Sequence, residues 1–266
     1  MRSIQTITIP IALALLAAGC GGSSTAGDQP GDGASVTAMP STGAPGDPLP
    51  QGSEPAKLDP ANFTTAIDNP YWPMTPGSRW VYRETDTRGS REKVVVEVTH
   101  ETKEIANGVE ARVVRDTVTE RGEPVEVTDD WYAQDRAGNI WYLGEDTAEY
   151  ENGRVANREG SFEAGVDGAE AGVALPGKPE PGLSYRQEYY RGEAEDRGEV
   201  VTAGEERVEV PFGFFDRNVL MTRDLVPTEP KVQELKFYAP GVGPVLTLHT
   251  DGAGGRGELV GYRPGP

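Results

Sequence analysis

Shifted by 105 positions, this 266-residue chain meets itself in order. That repeat limits it to two copies of one supersecondary unit packed together. Pro76-Gly77 falls on Pro181-Gly182, Trp80 on Tyr185, Val95-Val96 on Val200-Val201, Ile105 on Val210 and Gly108 on Gly213. Arg112 falls on Arg217, Val114 on Val219 and Leu143 on Leu248. With one residue of slip, Trp131-Tyr132-Ala133 falls on Phe237-Tyr238-Ala239. Each copy, 73–150 and 179–262, has room for about six strands.

The pattern inside each copy is β. Apolar and polar residues alternate over 94–99, 109–119, 125–133, 140–143, 183–189, 199–203, 217–225, 232–239 and 245–250, the period of half-buried strands. Turns are predicted at Asn107-Gly108, Arg121-Gly122, 135–139 and Asn152-Gly153. No stretch holds a helical period over three turns, and 192–198 has room for one short turn of helix. The fold class is therefore all-β, with two duplicated antiparallel β-meanders forming a curved sheet or incomplete barrel. A hairpin loop at 136–138 sets Tyr132 opposite Tyr142, with Trp131, Ala133, Trp141 and Leu143 on the other face, which reads as core. Gly213 and Gly243 are expected at positive φ, and Pro211 and Pro240 at the ends of ladders.

Ahead of the repeat lies a different kind of sequence. Arg2 precedes a mostly apolar run from Ile4 to Ala18, interrupted by Gln5, Thr6, Thr8 and Pro10 and followed by Gly19 and Cys20, the one cysteine of the chain. The run is short for a bilayer span and suits a secretion leader. Small residues before a lone cysteine resemble the lipobox of bacterial lipoproteins, with Ala17 where leucine is commoner. The resemblance implies cleavage after Gly19 and diacylglyceryl attachment at Cys20, with a second chain needed for stable anchoring. Residues 1–19 read as this leader and 20–57 as a lipidated Gly/Ser/Pro-rich tether, too poor in apolar residues to fold alone. The first β module follows over 58–159, and the second over 183–266.

The formal charge is −18, and −19 once Arg2 leaves with the leader. So acidic a surface repels nucleic acid and anionic headgroups, and excludes both as partners. With no other cysteine, no intramolecular disulfide forms, and stability rests on a packed core.

The second copy carries Val208-Glu209-Val210-Pro211-Phe212-Gly213-Phe214-Phe215 and Phe237-Tyr238-Ala239-Pro240-Gly241-Val242-Gly243-Pro244-Val245; Asp68-Asn69-Pro70-Tyr71-Trp72-Pro73 precedes the first. These resemble motifs of uncharacterised exported bacterial β-sheet proteins, with Phe212 where a small residue is expected. The resemblance implies a curved antiparallel sheet and brings no catalytic activity.

Signatures of chemistry are sparse. His100 and His249 fall in strand patterns and read as partly exposed strand residues. Gly252-Ala253-Gly254-Gly255-Arg256-Gly257 fits a dinucleotide fingerprint but opens a strand, so it reads as a hairpin loop. Asp129, Asp130, Asp135, Glu145, Asp146, Glu163 and Asp167 are candidate oxygen ligands for Ca²⁺, with Asp135, Glu145 and Asp146 foremost; solvated turns explain them equally. Glu163 with Glu188 is a candidate hydrolase pair. The segment 160–182 lacks a strand pattern and carries Phe162, Val166, Val173 and Leu175. It reads as a connector, or as a lid that closes a pocket with Trp131 and Trp141. The functional expectation is a monomeric lipoprotein on the outer face of the cell membrane, without cofactor or catalysis, binding a lipid or small apolar or amphiphilic ligand. The alternatives are a protein–protein interaction module of an envelope complex and a carboxylate-dependent hydrolase.

Overall fold

The computed structural model describes residues 41–266 apart from 88, 90, 228, 229 and 251–253; the leader, Cys20 and the tether up to residue 40 lie outside the described residues. The strands are β1 (Phe63–Thr64), β2 (Arg79–Asp86), β3 (Arg91–Glu104), β4 (Glu110–Glu120), β5 (Glu123–Asp135), β6 (Ile140–Glu151), β7 (Arg154–Asn157), β8 (Phe162–Glu163), β9 (Glu170–Leu175), β10 (Ser184–Arg186), β11 (Glu188–Tyr189), β12 (Arg197–Val210), β13 (Gly213–Leu225), β14 (Gln233–Ala239), β15 (Gly243–His249) and β16 (Gly255–Arg263). The turn residues carry the geometry that their sequence demands. Arg121-Gly122 and Asn152-Gly153 all have positive φ, as do Gly108, Gly138 and Gly243. Gly213 does not; it enters β13 in extended form, so the expected positive φ there is corrected. The 192–198 stretch forms no helix.

The strands follow the order β10-β12-β13-β14-β15-β16-β2-β3-β4-β5-β6-β9-β11 in one antiparallel path. Six belong to each copy: β2-β3-β4-β5-β6-β9, and then the same route through β10-β12-β13-β14-β15-β16. The copies join where β16 lies along β2, Arg263 opposite Arg79 and Gly255 opposite Asp86. β10 and β11 are two pieces of one segment broken at Gln187. β10 pairs with β12 at one end of the path, and β11 with β9 at the other. The sheet thus curls into a nearly closed barrel with an unsealed seam at 184–189.

Glycine makes the seam possible. A Cβ on Gly172 would stand 2.1 Å from the Gln187 carbonyl oxygen and 2.7 Å from the Glu188 nitrogen, an overlap that only backbone displacement relieves. Gly172→Ala is expected to destabilise the barrel by about 3 kcal/mol or more, read as a lower urea midpoint.

Composition places the end of the tether at 57, but residues 41–57 are bound to the barrel as a strap. Asp59 donates its N–H to the Thr42 carbonyl, Arg186 to the Pro50 carbonyl, and the Ala56 N–H meets the Glu170 carboxylate at 2.9 Å. The Arg186 guanidinium fixes the strap by donating to the carbonyls of Gly52 (2.5 Å) and Glu54 (2.7 Å), and to that of Ala171 in β9 (2.7 Å). These carbonyls are the attraction that composition alone does not reveal.

One end of the barrel is plugged by the Asp68–Trp72 motif. Gln134 accepts the N–H groups of Asp68 and Asn69, Asn69 donates to the Gly138 carbonyl, and the Gly241 N–H reaches the Pro70 carbonyl. Trp72 then stands between the repeat-related Tyr132 and Tyr238, at ring distances of 5.5 and 6.2 Å. Trp80 and Tyr82 donate to the carbonyls of Val242 and Pro244, binding the first copy to the second.

The connector is corrected as well. Residues 160–182 contain β8 and β9, both paired with β6, with Val173 opposite Trp141 and Leu175 opposite Ile140. Glycine and alanine masked the strand signal because this strand is packed on both faces and has no need to alternate.

Candidate functional site

Strand pairing places opposed residues on one face, so the inner wall can be read across the barrel. Thr222 of β13 faces Lys236, which faces Thr247; Gly257 follows, then Glu84, then Glu92. In the first copy Asp116 faces Thr128, which faces Thr147, and Val114 faces Asp130, which faces Glu145. The tyrosines near the plug are succeeded by a layer of carboxylates. Glu84, Glu92, Asp116, Glu126, Asp130, Glu145, Glu188, Asp224 and Asp196 are all buried, as are Lys236 and His249.

The second copy compensates part of its buried charge. The Lys236 ammonium lies 2.6 Å from Asp224 and 3.3 Å from Glu234, and His249 Nδ1 lies 3.0 Å from Glu234. Burial works to lower the lysine, and the two carboxylates more than reverse it, holding the ammonium charged. His249, expected to be partly exposed, is therefore part of a buried network; His100 is exposed.

In the first copy Arg112, in register with Tyr132, gives its guanidinium to the carbonyls of Thr65 and Glu101. Among the described residues no ion pair reaches the buried acids Glu84, Glu92, Asp116, Glu126, Asp130 or Glu145. Both oxygens of Asp116 lack a hydrogen-bond partner, as does Glu84 Oε2; Glu188 Oε1, brought against β9 by β11 of the second module, lacks one too. Burial, then Asp130 and Glu126, drive Asp116 well above the ordinary carboxyl range. Burial, then Asp116 and Glu92, do the same to Glu84, and burial, then Asp196 and Glu145, to Glu188. Glu126 is raised to about 7 by burial and Glu149, and Glu92 to about 7 by burial and Glu120. Burial lifts Asp130 to about 8 against the opposing hydrogen bond of Tyr142. The Tyr142 hydroxyl lies 2.9 Å from Asp130 Oδ1 and 2.6 Å from Glu145 Oε2. It has one proton to donate, so the second contact is a hydrogen bond only when that carboxyl carries its own proton. The pair is built to hold a proton.

The residues singled out from the sequence are scattered. Trp141, Val173 and Leu175 are fully buried, Phe162 packs edge-on to Tyr142 at 5.6 Å, and Val166 is exposed in a turn. Trp131 is buried beneath the Lys103 ammonium. Asp135 is spent on its own turn, accepting from Ala137 N, Asn139 N, Asn139 Nδ2 and Trp141 Nε1. Glu145 points inward while Asp146 pairs with exposed Arg158, and Asp129 pairs with Arg115. Among the described residues no three His, Cys, Asp or Glu side chains are placed to hold a metal ion. Glu163 is taken by Lys103 and the Ala106 N–H, whereas Glu188 belongs to the interior. Trp141→Phe should cost about 1–3 kcal/mol by leaving Asp135 Oδ2 short of a donor, seen in thermal unfolding.

No family model matches the chain, and no curated protein matches it. Among solved structures it is similar to a crystal structure described as a "putative lipoprotein" from Parabacteroides distasonis ATCC 8503. Identity is 16%, with 73% of this chain and 98% of that one covered at a TM-score of 0.39; so loose a likeness carries no argument about function.

Proposed function

We propose that this is an exported, lipid-anchored protein of the cell envelope that works by binding rather than by catalysis, and that its barrel interior takes up cationic ligands. The anchor rests on Cys20 behind its apolar leader. The binding role rests on one observation: buried carboxylate oxygens of Asp116, Glu84 and Glu188 without partners. Leaving such groups unpaired costs about 1–3 kcal/mol each, and more when charged. An apolar lining would have been the stable choice, so the acids answer to something other than packing. Because they are spread over several strands and do not converge as a metal centre, an ammonium-bearing organic cation suits them better than a bare metal ion. This replaces the apolar ligand suggested by the tryptophans, whose rings are packed away.

Thermal unfolding with and without spermidine tests the interior. At pH 7.5 the amine is expected to raise the Tm by several degrees. At pH 5, where protons occupy the carboxyls, the effect should fade. An unchanged Tm at both values refutes the cationic ligand. Mass analysis of the processed amino terminus tests the anchor independently, since a bare Cys20 sulfur refutes it.

A further inference from the structure

The β3–β4 and β12–β13 hairpins occupy equivalent places in the two copies, yet their tips are finished differently. In the first, Ala106-Asn107-Gly108 make the turn, and the flanking Ile105 and Val109 are buried. The chain covers this tip itself. Pro60 lies against Gly108, Gly165 lies near Ala106 and Asn107, and Glu163 accepts the Ala106 N–H at 2.7 Å. In the second, 105 positions on, the tip is Pro211-Phe212-Gly213 with Val210 and Phe214 beside it. Val210 is buried, but Phe214 is 60% exposed and Phe212 39%. β13 leaves the hairpin turn at Gly213, while β14 joins it first at Leu220. The Phe212 N–H donates to the Leu259 carbonyl of β16 at 3.0 Å and its ring meets Tyr262 edge-on at 6.3 Å, so Phe212 is held against β16 and Phe214 is the side chain left facing outward. A cleft of about 280 Å³ opens beside it, bordered by Phe215, Arg217, Asn218 and Pro240.

We propose that this aromatic tip rests in the interfacial layer of the membrane that holds the lipid anchor; the inference depends on the anchor at Cys20 proposed above. Large aromatic side chains projecting from a turn are poorly placed in water and well placed at the boundary of headgroups and acyl chains. The position of the chain's exit selects a membrane over another protein. Thr42 accepts the Asp59 N–H, and Asp59 adjoins β1, which pairs with the last residues of β5 at Asp135. The strap therefore leaves the barrel at the end that carries the 135–139 turn, the 239–243 turn and the Phe212 tip. Between Cys20 and Ser41 lie twenty residues, so a lipid at Cys20 is joined to the barrel at the end that carries the tip. Asp216 and Arg217 at the tip offset one another, and Glu209 opposite Phe214 is exposed, so the contact does not call for anionic lipid.

The test uses the lipidated mature protein in phosphatidylcholine vesicles. Phe214→Trp places an indole at the tip, and Arg121→Trp places one in the β4–β5 turn at the opposite end. With the signal of the four native tryptophans subtracted, lipids brominated on their acyl chains are expected to quench the indole at 214 at least twofold more than the one at 121. Equal quenching in protein that floats with the vesicles overturns the tip contact alone. A response at 214 that follows protein concentration rather than lipid also overturns it, and marks a second copy as the occupant. Protein that fails to float overturns the anchor and this proposal together.

Discussion

At pH 8 the barrel is expected to unfold on the order of 10 °C below its midpoint at pH 5. The carboxyls responsible are those of the first copy. Glu126 and Glu92 move from 4.5 to about 7 on folding, and Asp130 from 3.8 to about 8. A carboxyl whose folded value lies above its unfolded one binds its proton more tightly in the native state. Its contribution is complete below the unfolded value, declines as the pH rises, and is gone above the folded one. The window therefore runs from about pH 4 to about pH 8. A displacement like that of Glu126 is worth roughly 3 kcal/mol across it. Glu92 adds less, because water reaches part of it and screens the effect. Glu126→Gln should raise the midpoint at pH 8, leave it nearly unchanged at pH 5, and flatten the profile between. Differential scanning calorimetry over this range decides the matter, and a midpoint that rises with pH would show that the interior acids are charged and compensated.

The other large effect is expected at Arg186. Replacing it by methionine removes the donors to Gly52, Glu54 and Ala171 at once. Three carbonyls are then left short of partners, and the strap keeps its bonds at Pro50, Gln51 and Ala56. A loss of about 3–5 kcal/mol is expected, with residues 41–57 becoming open to proteolysis. Burial tends to lower this guanidinium, while Glu54 and Glu170 support its charge. Arg186→Lys keeps a charge but not the planar fork that meets three carbonyls, so it should fall between the two. Limited proteolysis alongside urea unfolding separates strap release from general destabilisation.

The architecture was legible because repetition and alternation are both written in residue order. Tyr132 does face Tyr142, and Ala133 does face Trp141. The topology repeats once, with six strands in each copy, as the 105-residue offset implies. The interior was not legible, for a specific reason. Alternation marks one face of a strand as apolar and leaves the other to solvent by default. In β5 the apolar face of Trp131 and Ala133 is the outer one, with Lys103 over Trp131 and Phe63 of β1 against the neighbouring Trp141. The acid-bearing face of Glu126, Thr128 and Asp130 is the inner one. Both are buried, so the rule for a half-buried strand points to the wrong side. Polar side chains at every second residue, Glu126, Thr128 and Asp130, in phase with Tyr132, were the available signal. The strap is not legible in residue order because what orders it is an arginine more than 130 positions away.

The two joints that close the barrel are unequal. Along β16 and β2 the copies are zipped from Arg79 to Asp86, whereas β11 offers β9 only Glu188 and Tyr189. Thermal breathing will concentrate at the weaker joint, and amide deuterium uptake should appear first at 170–172 and 188–189. Glu188 stands in that doorway, so the first water to enter meets an acid, and the wall that admits solvent is also the one that responds to it.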